Sequence, residues 1–204
     1  MTIRLHQGDL PADFPHAAIV AIDTETMGLN PHRDRLCLVQ LSTGDGNADL
    51  VQIGRGQTRA DRLVSLLTDR SVLKLFHFAR FDLAILAKTF GVTPEPVYCT
   101  KIASRLVRTY TDRHGLKDLA RELLGVEISK QQQSSDWGAE TLSEAQQAYA
   151  ASDVLYLHQL KEKLDTMLAR EERLPLAGAC FDFLPSRVRL DLDGWPETDI
   201  FAHE

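Results

Sequence analysis

Short apolar runs separated by polar turns occupy the first half of the chain, and longer stretches with helical spacing occupy the second. Ile19-Val20-Ala21-Ile22 is a largely β-branched run that ends in Asp23, which predicts a buried strand with an acid at its C-terminal end. The same pattern predicts strands over Ile3 to His6, Leu36 to Ser42, Ala48 to Ile53 and Val72 to Phe76. Asn30-Pro31 and Gly44-Asp45-Gly46-Asn47 supply turn chemistry between them, so these strands read as a hairpin-linked meander. Helical spacing runs from Ala60 to Leu67, from Phe78 to Phe90 before Gly91, and from Leu116 to Leu124 before Gly125.

The strongest helix is predicted to start near Thr141 to Ser143, where Thr141/Glu144 and Ser143/Gln146 both fit the capping box. Leu157, Leu160 and Leu164 continue its apolar stripe, which extends the helix to about Arg170. Beyond Arg173 the chain is predicted to be broken by Pro175, Pro185 and Pro196, yet it keeps Phe181, Phe183, Leu184, Trp195 and Phe201. That tail is too apolar for disorder and is expected to pack on the domain or on a neighbouring subunit. Strands, then a βα crossover, then mostly helices predict an α/β fold, a mixed β-sheet flanked by helices.

Composition narrows the function. The 204 residues are 44% hydrophobic, enough for one sizeable core. No apolar run reaches the roughly 20 residues of a membrane span and the N-terminus lacks a signal-peptide core, so a cytoplasmic location without membrane attachment is expected. Cys37, Cys99 and Cys180 have neither metal-ligand nor paired spacing and read as buried thiols. The net charge is -6, with no basic block, which argues against a long nucleic-acid footprint. A nucleic-acid substrate would be short or held largely through cations.

The candidate chemistry lies in carboxylates. Asp23 and Glu25 alternate on one strand and so point to the same side, where they repel unless a cation lies between them. Taken alone, Asp-x-Glu is also an ordinary solvated strand end. Asp82 lies in HFARFD, early in a helix, where it serves either the helix dipole or a site. Tyr149 and Asp153 share one face of the strongest helix, and Asp153 sits in an apolar stretch, an odd place for an idle charge.

In this order the motifs resemble the DEDD exonucleases, in the subgroup with tyrosine. HGLKDLARELLGV, SKQQQSSDW and LSEAQQAYAASDVLYL are similar to the signature run of the RNase D class, over roughly Ile19 to Leu164. The DTETMGLNPHRDRLCLVQLS opening and the DGWPETDIFAHE ending resemble the compact bacterial nanoRNases of the NrnC type. The resemblance implies a ribonuclease H-like (DnaQ-like exonuclease) sheet, with residues 1–173 as catalytic domain and 174–204 as an extension without an HRDC domain. It implies a metal-dependent 3'-5' exoribonuclease that hydrolyses very short RNA, especially 5'-phosphorylated dinucleotides, to nucleoside 5'-monophosphates. Three further readings stay open: a general RNase D-like enzyme on longer RNA or tRNA 3' ends, a DNA-directed exonuclease of the same fold, and an inactive nucleotide-binding scaffold.

By resemblance, two divalent cations, Mg²⁺ or Mn²⁺, would be held by Asp23 bridging both, Glu25 and Asp153 on the first, and Asp82 on the second, while Tyr149 orients the attacking water. Leu29 would wedge between two bases, or else is an ordinary core or loop leucine. His77 would touch the terminal sugar, or else is a satisfied core histidine. Thr24 lies between the first two acids as a further substrate candidate. Arg80, Lys101, Arg105, Arg108, Arg113, His114 and Lys117 are candidate grips for a terminal phosphate, or solvated surface charges. Trp137 shapes the pocket or packs. The resemblance also implies a homo-oligomer, a closed ring of subunits.

Overall fold

A computed structural model describes residues 1–129 and 131–203; Lys130 of the SKQQQSSDW run and Glu204 at the end of DGWPETDIFAHE lie outside the described residues. The chain runs β1 (Ile3–Gln7), β2 (Ile19–Thr26), β3 (Leu36–Ser42), β4 (Ala48–Gln52), α1 (Asp61–Thr68), β5 (Leu73–Phe76), α2 (Ala79–Phe90), β6 (Val97–Cys99) and α3 (Thr100–Val107). It continues through α4 (Leu116–Leu119), which widens into a π turn over Ala120–Leu124, then α5 (Glu144–Leu155), α6 (Leu157–Arg170) and α7 (Leu174–Leu192).

Among the described residues, six strands form one mixed sheet in the order β1-β4-β3-β2-β5-β6. The meander expectation holds for β2, β3 and β4, which pair antiparallel. It fails for β1, which pairs parallel with β4 in register Ile3 opposite Ala48. A parallel neighbour cannot be reached by a tight turn, so the chain from Gly8 to Ala18 crosses to the far side of β3 before β2 begins. On that crossing Asp9 accepts the backbone N–H groups of Arg62 and Leu63, capping α1 from a distance.

Helix ends follow the sequence closely where a cap is written into it. Ser143 forms the capping box with Gln146, and not Thr141 with Glu144. Gly91 and Gly125 both take left-handed conformations, φ 73° and 70°, that close α2 and the π turn. The expected single helix from Ser143 to Arg170 is corrected: Tyr156, at φ -103°, ψ -5°, divides it into α5 and α6. The break lets α5 lie on the sheet while α6 turns its buried Leu157, Leu160, Leu164 and Leu168 into the main core.

The proline-broken tail is also corrected. Pro175 falls in the first turn of α7, where its missing N–H has no partner to lose, and the helix runs on through Pro185. Ala177, Phe181, Leu184 and Val188 are buried in the main core, so α7 packs on the preceding elements, chiefly on α2 and β6. Cys37 and Cys99 are buried as expected, whereas Cys180 is only half-buried; all three are free thiols. Among the described residues no helix is long and apolar enough to cross a membrane.

Candidate active site

The site forms where β2 outruns one of its neighbours. Pairing with β5 covers Ile19 opposite Leu73 through Ala21 opposite Leu75 and then stops. Pairing with β3 continues to Thr26 opposite Leu36, so Asp23, Thr24 and Glu25 extend past the end of β5. Helix α2 starts just after β5 and carries Asp82 to this end of the sheet. Ligand sites of open α/β sheets lie beyond the carboxyl ends of strands for this reason: one strand stops and its continuation turns away.

Strand alternation turns Asp23 and Glu25 to one side and Thr24 to the other. Thr24 is buried, and its Oγ1 donates a 2.6 Å hydrogen bond to Asp82 Oδ1. Helix α5 crosses the sheet and supplies Tyr149 and Asp153 one turn apart. Ligand oxygens of Asp23, Glu25 and Asp153 all lie within 4.8 Å of one another. Asp82 is not in that trio; it is buried beside Thr24 and close enough to Asp23 for the two charges to repel.

These acids resist ionisation. Burial pushes the Asp23 carboxyl up to about 7. Burial first, then the charges of Asp23, Asp153 and Asp82, push Glu25 up to about 10. Asp82 and Asp153 are raised well above the ordinary carboxylate range by burial and then by Asp23. Burial and the same acids also raise the Tyr149 phenol, which stays neutral. No lysine or arginine stands among the groups that set these four carboxyl shifts. An all-oxygen, acidic donor set suits a hard divalent ion such as Mg²⁺ or Mn²⁺.

A cleft of about 280 Å³ opens over these groups. Asp23, Thr24 and Glu25 line it from the sheet, His77 from the link between β5 and α2, Tyr149 and Asp153 from α5, and Gly115, Leu116 and Lys117 at the start of α4. Ile128, Ser129 and Gln133 also line it. Lys117, one of seven basic side chains the sequence offered, is the one lysine or arginine lining the cleft among the described residues.

The other candidates distribute unevenly. His77 lines the cleft with Nδ1 2.8 Å from Thr100 Oγ1, and burial lowers its pKa to about 3, so it is a neutral ring. Leu29 is 84% exposed on the loop after β2, which removes its core reading. Lys101 lies over the Phe78 ring, 4.2 Å from its centroid, and His114 Nδ1 is 2.8 Å from Ser104 Oγ; neither lines the cleft.

Two candidates are corrected, and a third resolves to its packing alternative. Arg108 is wholly buried and donates to Glu122, Ser104 and the Arg113 carbonyl, so it has no face left for a ligand. Arg80 is clamped bidentately by Asp191 of α7 and donates to the Pro196 carbonyl. Trp137 is buried with its ring 6.0 Å from that of Tyr149, so it backs the tyrosine and does not line the cleft. Sequence reading missed Ile128, Ser129 and Gln133. Ser129 and Gln133 belong to the SKQQQSSDW run and Ile128 immediately precedes it, but the run has no periodicity to say which side chains face inward.

Residues 10–169 match the family described as 3'-5' exonuclease, and the chain belongs to that family. Its fold is the DnaQ-like exonuclease form of the ribonuclease H-like sheet. The solved structure of Brucella melitensis NrnC bound to pGG is 64% identical, covers 100% of both chains and superposes with a TM-score of 0.97. The same Brucella protein with bound Mg²⁺ is 63% identical over 100% of both chains, with a TM-score of 0.96. Escherichia coli RNase D, 28% identical, covers 89% of this chain and 48% of that one, with a TM-score of 0.77. Ribonuclease D of Gluconacetobacter diazotrophicus is 40% identical over 155 residues, 76% of this chain but 39% of that protein. The chain thus spans about two fifths of the length of the Ribonuclease D relatives it matches.

Proposed function

We propose that this chain is a divalent-metal-dependent 3'-5' exoribonuclease that hydrolyses very short RNA, in particular 5'-phosphorylated dinucleotides, to nucleoside 5'-monophosphates. The observation that carries the reading is the trio of carboxylates within 4.8 Å, with Asp82 buried nearby and no lysine or arginine, among the described residues, contributing to the shifts of the four acids. Asp23 would bridge two cations, Glu25 and Asp153 would complete one site, and Asp82 would support the other. When bound, such ions supply a water acidified to act near neutral pH and charge neutralisation at the phosphoryl group.

The chain's own part is orientation. Tyr149, neutral and backed by Trp137, has a hydroxyl to direct the attacking water but little tendency to act as a base. Water forms the new bond to phosphorus, the bond to the 3' oxygen breaks, and that oxygen gains a proton. Lys117 supplies positive charge for a phosphate, and His77, fixed through Thr100, presents a neutral nitrogen toward the terminal sugar. Leu29, exposed on the loop after β2, is the candidate wedge between two bases.

Short substrates are favoured by the size of the cleft and by the scarcity of cations. About 280 Å³ is near the lower limit of small-ligand pockets, roughly 300 Å³. Lys117, the one lysine or arginine lining the cleft among the described residues, cannot by itself neutralise the several phosphates that a long single strand would bring. The pGG bound by the Brucella protein agrees with this choice. Exposed Leu174, Leu176, Phe183, Trp195, Ile200 and Phe201 support self-association, and a closed ring would cover them.

The test is a time course with 5'-phosphorylated RNAs of graded length, from the dinucleotide upward, in Mg²⁺ or Mn²⁺, with Asp23→Ala as control. Fast conversion of the dinucleotide and slow cutting of longer chains is the expected result. Equal rates at all lengths would favour the general RNase D-like activity, and a dinucleotide bound but left intact would favour the inactive scaffold.

A further inference from the structure

Gln40 is a buried amide that the fold alone does not explain. It sits in the middle of β3, fully enclosed, between the buried apolar residues Val39 and Leu41. Its cross-strand partners are Asp23 on β2 and Leu50 on β4. Its Nε2 donates to Asp23 Oδ2 at 3.3 Å, and its Oε1 has no hydrogen-bond partner. An unpaired buried carbonyl costs free energy that an aliphatic side chain of similar volume would avoid. The one polar contact Gln40 does make is with an acid of the carboxylate trio.

We propose that Gln40 is a positioning residue that fixes the Asp23 carboxylate for metal binding. The inference rests on the reading of Asp23 as a metal ligand. Together with the Thr24 backbone N–H that also reaches this carboxyl, a donor to Oδ2 restrains the carboxylate's rotation. The donor is also neutral: a lysine or arginine opposite Asp23 would itself neutralise the acid and compete with a divalent cation. The reverse amide orientation would set oxygen against oxygen, so the contact specifies the amide's orientation as well as its presence. Groups of this kind, one step removed from the ion, typically change metal affinity by about 10–100-fold when removed.

Gln40→Met keeps the volume and deletes the donor; Gln40→Leu is a second apolar replacement should methionine disturb packing. Mn²⁺ binding would be titrated calorimetrically on the purified chains without substrate, with thermal unfolding in a chelator alongside. The expected result is a fall in Mn²⁺ affinity of about tenfold or more, with metal-free stability equal to or above that of the parent, and with kcat recovering at saturating Mn²⁺. Those opposite signs separate positioning from support of the core. Binding lost in Asp23→Ala but retained within twofold in Gln40→Met overturns the role of Gln40 alone. Equal binding by the parent and Asp23→Ala overturns the ligand reading, and Gln40 with it. Unfolding of both Gln40 variants marks the amide as structural and also overturns the proposal.

Discussion

The Thr24 hydroxyl donates to Asp82 Oδ1 at 2.6 Å, linking the strand that carries Asp23 and Glu25 to the helix that carries the fourth acid. Both partners are buried, so the bond fixes how far α2 stands from the end of β2. Thr24→Val keeps the shape and the β-branch and removes the donor. A buried hydrogen bond to a carboxyl is worth about 1.5–3 kcal/mol when charged, so loss of correct Asp82 placement is expected to lower kcat about tenfold or more. Thr24→Ser is expected to retain most activity. Steady-state kinetics at saturating Mn²⁺ checks both, and an unchanged Thr24→Val rate would show that Asp82 is placed without this bond.

The raised carboxyls make a statement about stability. Their folded pKa values exceed the ordinary ones, so the stabilising effect of the protonated forms is complete below the unfolded pKa and is lost as pH rises through the folded pKa. For Asp23 that window runs from the ordinary carboxylate range to about 7, and for Glu25 it extends to about 10. Metal-free protein is therefore expected to lose thermal stability between pH 5 and pH 8, with each kcal/mol lost moving Tm by about 2–4 °C in a chain of this size. Saturating Mn²⁺ at pH 8 should reverse the loss, because ions that bind only the folded state stabilise it. A metal-free Tm that climbs over this range would show that the four acids are less crowded than their burial implies.

Lys117 gives a prediction of a different kind, since it lines the cleft without belonging to the acid cluster. If it grips a phosphate, Lys117→Met removes one charge-assisted contact, worth about 1.5–3 kcal/mol or roughly 10–100-fold in KM. Little change in kcat is expected at saturating substrate. A loss confined to kcat would place Lys117 in the chemical step instead.

Much of the site was legible because chemistry constrains it locally. Asp23 and Glu25 follow from strand alternation, and Tyr149 and Asp153 follow from helical spacing plus a capping box that the structure shows bonded as written. The strand preceding Asp82 and the helix bearing it were equally clear. What failed to show was partnership across sequence distance. Nothing local marks Arg108 as the buried partner of Glu122 or Arg80 as the partner of Asp191, so both looked like free cations. The same limit hid α7, where tertiary burial of Phe181, Leu184 and Val188 outweighs the helix-breaking tendency of Pro185. Tyr156 divides two helices whose apolar stripes join smoothly in sequence, and only the different surfaces they pack against reveal the break.

The buried Arg108 carries the converse prediction. Its side chain is wholly enclosed and holds Ser104 and Glu122 as well as the turn carbonyl of Arg113. Arg108→Met leaves Glu122 without this partner, but Glu122 is about a third exposed and remains partly hydrated. The cost is accordingly expected below the roughly 3–5 kcal/mol of breaking a fully buried pair. Urea denaturation should show the loss, while KM for a dinucleotide stays within a few-fold at a temperature where the variant is folded. A selective rise in KM without loss of stability would return Arg108 to the substrate.

Tyr149 separates binding from chemistry. Its phenol faces the cleft beside Asp153, and Trp137 holds the ring from behind at 6.0 Å. Tyr149→Phe preserves that packing and removes only the hydroxyl. If the hydroxyl orients the attacking water, kcat is expected to fall by about 10²-fold, the lower end of the range for positioned proton-handling groups. Mn²⁺ affinity and KM should stay near their parent values, because the carboxylates are untouched. Trp137→Leu should produce a weaker version of the same defect by loosening the ring, together with a measurable loss of stability from the vacated volume. Single-turnover rates on a dinucleotide, measured beside Mn²⁺ titrations, distinguish these outcomes; a Tyr149→Phe variant with a parental rate would remove the phenol from the reaction and leave the carboxylates to position the water alone.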